Sequence, residues 1–253
     1  MAQGALGRAR GLVRQAGFDV VRYRRPDPLA PPVDCDAFTA GLIEQVRPYT
    51  LTSAERIMAL VEAVRYVVRA EIPGAFVECG VWRGGSAMVV AHTLLDLDVA
   101  DRDLFLYDTF THMPDPGEHD TDHRGVPAEE ILKVAVEAEA FRYLPFDEVR
   151  AALVGTGYPE PRLHLVQGMV EDTIPDQAPD AIALCRLDTD WYESTAHELA
   201  HLYPRLASGG VLLVDDYGHF MGAKKAVDEH LAAHDIRTML HRIDFTGRLL
   251  VKP

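Results

Sequence analysis

The chain has 253 residues, 48% of them of hydrophobic type, which suffices for one large core but includes no apolar run long enough to span a bilayer and no signal-peptide stretch, so a cytoplasmic protein without a membrane partner is expected. A formal net charge of −14 disfavours nucleic acid, whose phosphates need clustered Lys and Arg. Cys35, Cys79 and Cys185 are an odd number, widely spaced and without a CxxC pair, which suggests neither a disulfide framework nor a zinc site.

Residues 1–25 hold six arginines (Arg8, Arg10, Arg14, Arg22, Arg24, Arg25) and one acid, Asp19. Such a basic arm on an acidic body either stays solvated or docks on a neighbouring subunit, and a homo-oligomer is the expectation we carry forward. Pro26, Pro28, Pro31 and Pro32 make 26–33 an extended linker, because proline lacks a donor and pushes its predecessor out of helical geometry. Arm and linker are assigned to 1–49 and one domain to 50–253. Thr52 and Glu55 have the spacing of a capping box, and Ile57, Leu60, Val61, Val64, Val67 and Val68 follow at helical spacing, predicting a helix over 53–71 that Pro73 and Gly74 end.

From there short apolar runs at 75–79, 104–107, 163–166, 181–187 and 211–214 alternate with helical patterns near 86–97, 127–139, 146–154, 193–206 and 222–234. The tail 236–252 supplies two more strands, with Thr246 and Gly247 as the turn of a terminal hairpin. The fold class is therefore α/β: a doubly wound, mostly parallel, seven-stranded sheet with an antiparallel last strand. Residues 111–127, rich in Pro and Gly among acids and histidines, read as a long surface loop, a lid.

Ligands gather at the carboxyl ends of such strands, and polar residues follow all five. The first run leads into Glu78, Gly80, Gly84 and Gly85, the second into Asp108, the third into Gln167 and Gly168, the fourth into Asp188 and Asp190, the fifth into Asp215 and Asp216. The Gly-rich turn has G-x-x-x-G-G spacing, not the G-x-G-x-x-G of dinucleotide sites. Glu78 suits an ammonium group such as that of a methionine moiety, whose carboxylate backbone amides or Ser86 can hold, and Asp108 stands where an acid accepts two ribose hydroxyls. Ordinary turn and capping roles remain open for each of these singly. Asp188 and Asp190 face one way if the strand stays extended, and with Asp215 and Asp216 they would repel unless a cation sits among them. Oxygen-only ligands favour Mg²⁺, with Mn²⁺ or Ca²⁺ as alternatives, although the same acids could merely cap helices. His112, His119 and His123 could serve as base, ligand or substrate contacts but are expected as exposed lid residues, since no fixed helical spacing holds them together. Trp82 and Trp191 suit either a ligand wall or the core.

The segments LTSAERIMALVEAVRYV, GAFVECGVWRGGSAM, LYDTFTHMPDP, RLDTDWYEST and VDDYGHFMGAKKAVDEH resemble the macrocin and novobiocin type sugar O-methyltransferases of antibiotic biosynthesis, from about residue 50 onwards. The resemblance implies a class I methyltransferase fold, S-adenosylmethionine as methyl donor, Mg²⁺ dependence, and a small-molecule acceptor, a deoxysugar hydroxyl on a glycosylated natural product. It implies further that Asp188, Asp215 and Asp216 bind the metal and that Asp190 is the general base. Glu78, Gly80 and Ser86 would contact the methionine part of the donor, Asp108 the ribose, and Gly168, Met169, Val170 and Glu171 the adenine. Asp188 counts among the donor contacts as well, and Thr52 with the N-terminal region would close over the donor. The alternatives are a nucleotide-dependent oxidoreductase on the same kind of sheet and a catalytically silent module that keeps the donor pocket.

Overall fold

A computed structural model describes residues 30–137 and 142–253, with 13–15, 17 and 27 besides. The elements are, in order, α1 (Ala37–Val46), α2 (Ala54–Arg69), β1 (Ala75–Cys79), α3 (Gly85–Asp96), β2 (Leu104–Asp108), α4 (Ala128–Glu137), α5 (Phe146–Val154), β3 (Leu163–Gln167), α6 (Val170–Thr173), β4 (Ile182–Leu187), α7 (Tyr192–Leu202), β5 (Leu206–Val214), α8 (Met221–Ala233), β6 (His241–Arg242) and β7 (Arg248–Val251). Seven strands form one sheet in the order β3-β2-β1-β4-β5-β7-β6. The first five pair in parallel, and β7 lies antiparallel to both β5 and β6. The expected α/β sheet with an antiparallel terminal hairpin is what forms. No helix of the described residues is long and apolar enough to cross a membrane.

Successive strand residues point to opposite faces and feed two cores. Phe76, Leu106, Leu184 and Leu213 pack beneath α1, α2, α3 and α5, while Val77, Cys79, Tyr107, Cys185, Leu187 and Leu212 pack against α7 and α8. Cys79 and Cys185 are buried free thiols and Cys35 is a half-buried one.

Three local expectations change. Ser53, not Thr52, caps α2: its hydroxyl accepts the Arg56 amide, which leaves the Thr52 side chain free to turn inward. Helix α7 stops at Leu202 because Pro204 imposes a 3₁₀ turn, and β5 then begins at Leu206, with a register shift before Val211. No element is predicted for 34–49, yet Asp36 caps a helix there by accepting the Thr39 amide at 2.7 Å, and Leu42, Ile43 and Val46 are buried in the first core. The packed body thus includes residues grouped by sequence with the arm. The arm arginines other than Arg14, and Pro26 and Pro28, lie outside the described residues.

Candidate active site

A cavity of about 370 Å³ opens at the carboxyl ends of the parallel strands. Thr52, Glu78, Gly80, Ser86, Asp108, Gly168, Met169, Val170, Glu171, Asp188, Asp190, Asp215 and Asp216 all line it. The doubly wound sheet explains this gathering, since every parallel strand delivers its following turn to the same edge.

On one side the Gly-rich turn runs from β1 into α3. Gly80 has φ +84°, and a Cβ there would collide with the Asp188 carbonyl, so glycine is required where the turns after β1 and β4 meet. A Cβ on Gly85 would lie 2.5 Å from the Tyr49 carbonyl oxygen, so the segment before α2 also crosses close over this turn. Asp108, at the tip of β2, accepts the amides of Val81 (2.8 Å) and Trp82 (2.7 Å) on one oxygen and of Phe110 (2.7 Å) on the other. The Thr109 hydroxyl reaches that second oxygen as well, at 3.5 Å, so of the about four lone-pair positions of a carboxylate at most one is left for a ribose hydroxyl instead of the two expected. Trp82 lines the cavity; Trp191 is buried with Phe220 in a small separate cluster.

The other side is the acidic centre. Glu78 and Arg186 are register partners of neighbouring parallel strands and share a face. Arg186 Nη1 donates to Glu78 Oε1 and to Asp188 Oδ2, both at 2.7 Å, and Nη2 to Asp215 Oδ1 at 2.7 Å. Arg56 pairs with the second oxygen of Asp215, to which Thr52 also donates at 3.2 Å. Arg56 is itself steadied by Asp244 at 3.1 Å; Asp244 accepts the Ser53 hydroxyl and the amides of Thr246 and Gly247. Neither arginine stands out among the expected site residues. The signal for Arg186 is a lone guanidinium inside a strand covered on both faces, which demands carboxylate partners.

The strand does not stay extended through Asp190. It ends at Leu187, and Asp190 adopts φ +67°. That turn nevertheless brings its carboxyl into hydrogen-bonding contact with Asp216. Burial, followed by repulsion from Asp188 at Asp190 and from Asp190 at Asp216, pushes both carboxyls above the ordinary aspartate range. Burial lifts Asp188 to about 6 against the pull of Arg186, and lifts Glu78 to about 8. Asp188, Asp215 and Asp216 each offer an oxygen, and these atoms lie within 4.8 Å of one another. Two oxygens at this centre, Glu78 Oε2 and Asp216 Oδ2, are buried without a hydrogen-bond partner.

The loop 111–127 is bound down at several points. Asp120, buried, accepts the Gly117 amide at 2.7 Å and the Tyr192 amide at 2.9 Å, and a Cβ on Gly222 would strike its carboxyl. Thr121 accepts the Met221 amide, and Trp191 Nε1 donates to the Pro114 carbonyl. His112 lines the cavity, whereas His119 packs against Tyr192 and His123 against Phe245 and His219.

The model of the macrocin-O-methyltransferase (TylF) family matches residues 30–252, so the match begins earlier than the resemblance from residue 50 and takes in α1. The chain is 33% identical to a demethyldecarbamoylnovobiocin O-methyltransferase of Streptomyces niveus, over 79% of this chain and 74% of that protein. It is 32% identical to the 8-demethyl-8-(2,3-dimethoxy-alpha-L-rhamnosyl)-tetracenomycin-C 4'-O-methyltransferase of Streptomyces olivaceus, over 79% and 74%. The solved O-methyltransferase NovP superposes with a TM-score of 0.71 at 31% identity, covering 81% of this chain and 82% of NovP. The fold, the acids around the cavity and these matches agree: the chain is an O-methyltransferase belonging to the macrocin-O-methyltransferase family.

Proposed function

We propose that this protein moves the methyl group of S-adenosylmethionine to a deoxysugar hydroxyl on a glycosylated natural product, with a divalent cation at the acidic centre. The observation that carries this is the meeting of Asp188, Asp190, Asp215 and Asp216 in the cavity that also holds the Gly-rich turn. The relatives named for sugar-bearing substrates support the acceptor class.

Glu78 Oε2, buried and unpartnered, suits the ammonium group of the donor, and the α3 amides with Ser86 suit its carboxylate. Asp108 is left with at most one position for the ribose, and Gly168, Met169, Val170 and Glu171 border the adenine side. Leu51, Met113, Ile131, Leu132 and Phe220 give the acceptor end of the cavity an apolar wall fit for an aglycone.

The donor set fits a hard cation: three carboxylates, one with an orphaned buried oxygen. Asp188, Asp215 and Asp216 would hold it, and Mg²⁺ is the first choice, with Mn²⁺ or Ca²⁺ as alternatives. When bound, such a cation lowers the pKa of an alcohol beside it. Both Asp215 oxygens already rest on guanidinium groups, so Arg56 must share or give up its place. Asp190 takes the hydroxyl proton while the acceptor oxygen attacks the methyl carbon opposite the departing sulfur. Thr52 and the segment before α2 shield that end of the cavity from water.

Asp190→Asn should bind S-adenosylhomocysteine as the wild type does in calorimetry and transfer no methyl group in a mass-spectrometric assay against glycosylated metabolites; wild-type turnover would remove the assigned base. Exhaustive chelation should abolish turnover and Mg²⁺ should restore it, whereas full activity in chelator would discard the metal role.

A further inference from the structure

Behind the acidic centre, on the α7 side of the sheet, Glu198 is completely buried. Among the described residues no Lys, Arg or His forms an ion pair with it, and the acids Glu171 and Asp188 act on it by repulsion. Burial holds its carboxyl well above the ordinary range. Thr189 Oγ1 donates to this carboxyl, at 3.0 Å from one oxygen and 3.2 Å from the other, and the Cys79 thiol lies in hydrogen-bonding contact with it.

Thr189 is the residue between Asp188 and Asp190. The turn that carries it is pinned on the main chain as well, since the Asp188 amide donates to the Cys79 carbonyl at 2.9 Å and the Thr189 carbonyl accepts the Trp191 amide at 2.8 Å. A non-glycine residue at φ +67°, as Asp190 is, persists only where its surroundings over-determine it. A polar group buried this deeply is destabilising unless its hydrogen bonds serve the structure around it.

We propose that Glu198 is a positioning residue, which through the Thr189 hydroxyl holds the 188–191 turn so that Asp190 meets Asp216 and Asp188 stands beside Asp215. What the turn is positioned for rests on the metal and base roles proposed above.

Thr189→Val deletes the hydroxyl at nearly constant shape, Glu198→Leu deletes the acceptor, and Glu198→Gln keeps one. With Mn²⁺ as probe, followed by electron paramagnetic resonance, Thr189→Val and Glu198→Leu should each bind about tenfold more weakly, the scale of one lost buried hydrogen bond. The double variant should be no weaker than Glu198→Leu alone, and Glu198→Gln should stay close to wild type. S-adenosylhomocysteine affinity should be unchanged throughout, which general loosening of the fold would not allow. Wild-type Mn²⁺ affinity in Thr189→Val, or Glu198→Gln as weak as Glu198→Leu, overturns the proposal. Should Glu198→Leu not fold, Thr189→Val carries the test. If the wild type takes up no Mn²⁺, the metal role fails by itself, and a crystal structure of Thr189→Val decides: Asp190 displaced from Asp216 supports positioning, Asp190 unmoved ends it.

Discussion

Arg186 joins three carboxyls from three different strand ends, and it does so from a position with almost no solvent. Removing one partner of a buried ion pair leaves charge uncompensated in a low dielectric. Arg186→Met should therefore cost about 3–5 kcal/mol in urea denaturation, more than any gain from the added apolar contact. A variant as stable as the wild type would show that the acids are held apart by other means. The acids themselves are legible in the sequence, because Glu78, Asp108, Asp188 and Asp215 each close an apolar run. Arg186 is not, because within AIALCRL it is outnumbered by apolar neighbours and passes for the end of a strand. The backbone of Asp190 is hidden for a different reason: a left-handed residue is chosen by the turn around it, and two aspartates spaced by one residue look the same whether the chain continues straight or bends.

At the scale of elements, α1 is the largest omission. Its apolar residues Leu42, Ile43 and Val46 do have helical spacing, and Asp36 precedes it as a cap, but the prolines on both sides suggest continuous linker. Ile43 is wholly enclosed by the first core, so Ile43→Ala should lower stability by about 2–5 kcal/mol, read from the shift of the urea midpoint. A change within experimental error would mean that α1 is dispensable to the packed body. The parallel strands are legible because both of their faces are covered and they therefore read as uninterrupted apolar runs. The start of α2 shows the limit of such inference. Thr52 and Ser53 are both good caps on paper, and only the ion pairs of Arg56 and Asp215 decide which hydroxyl serves the helix and which serves the cavity.

The molecule as a whole buries several acids, and this sets how its stability responds to pH. Glu198 and Glu78 have folded-state pKa values raised by burial, Glu78 to about 8. Below the unfolded glutamate value, about 4.3, their contribution is fully present. As the pH rises past it the unfolded chain releases protons that the native chain keeps, so stability declines towards the folded values. In chelator the melting temperature should fall between pH 6 and pH 8, and Glu198→Gln should show a shallower fall; equal slopes would mean that Glu198 does not titrate between the two states. The sheet, its connections and the side on which the cavity opens follow from alternating strands and helices, whereas the web of ion pairs joining distant segments does not, since no local pattern records it. Asp244 is one such tie, anchoring Ser53 and Arg56 from the terminal hairpin. Synthesis runs from Ser53 to Asp244, so a nascent or prematurely terminated chain lacking the hairpin would present Arg56 to the acidic centre without its outer anchor, and the geometry of that centre would be among the last features to mature on the ribosome.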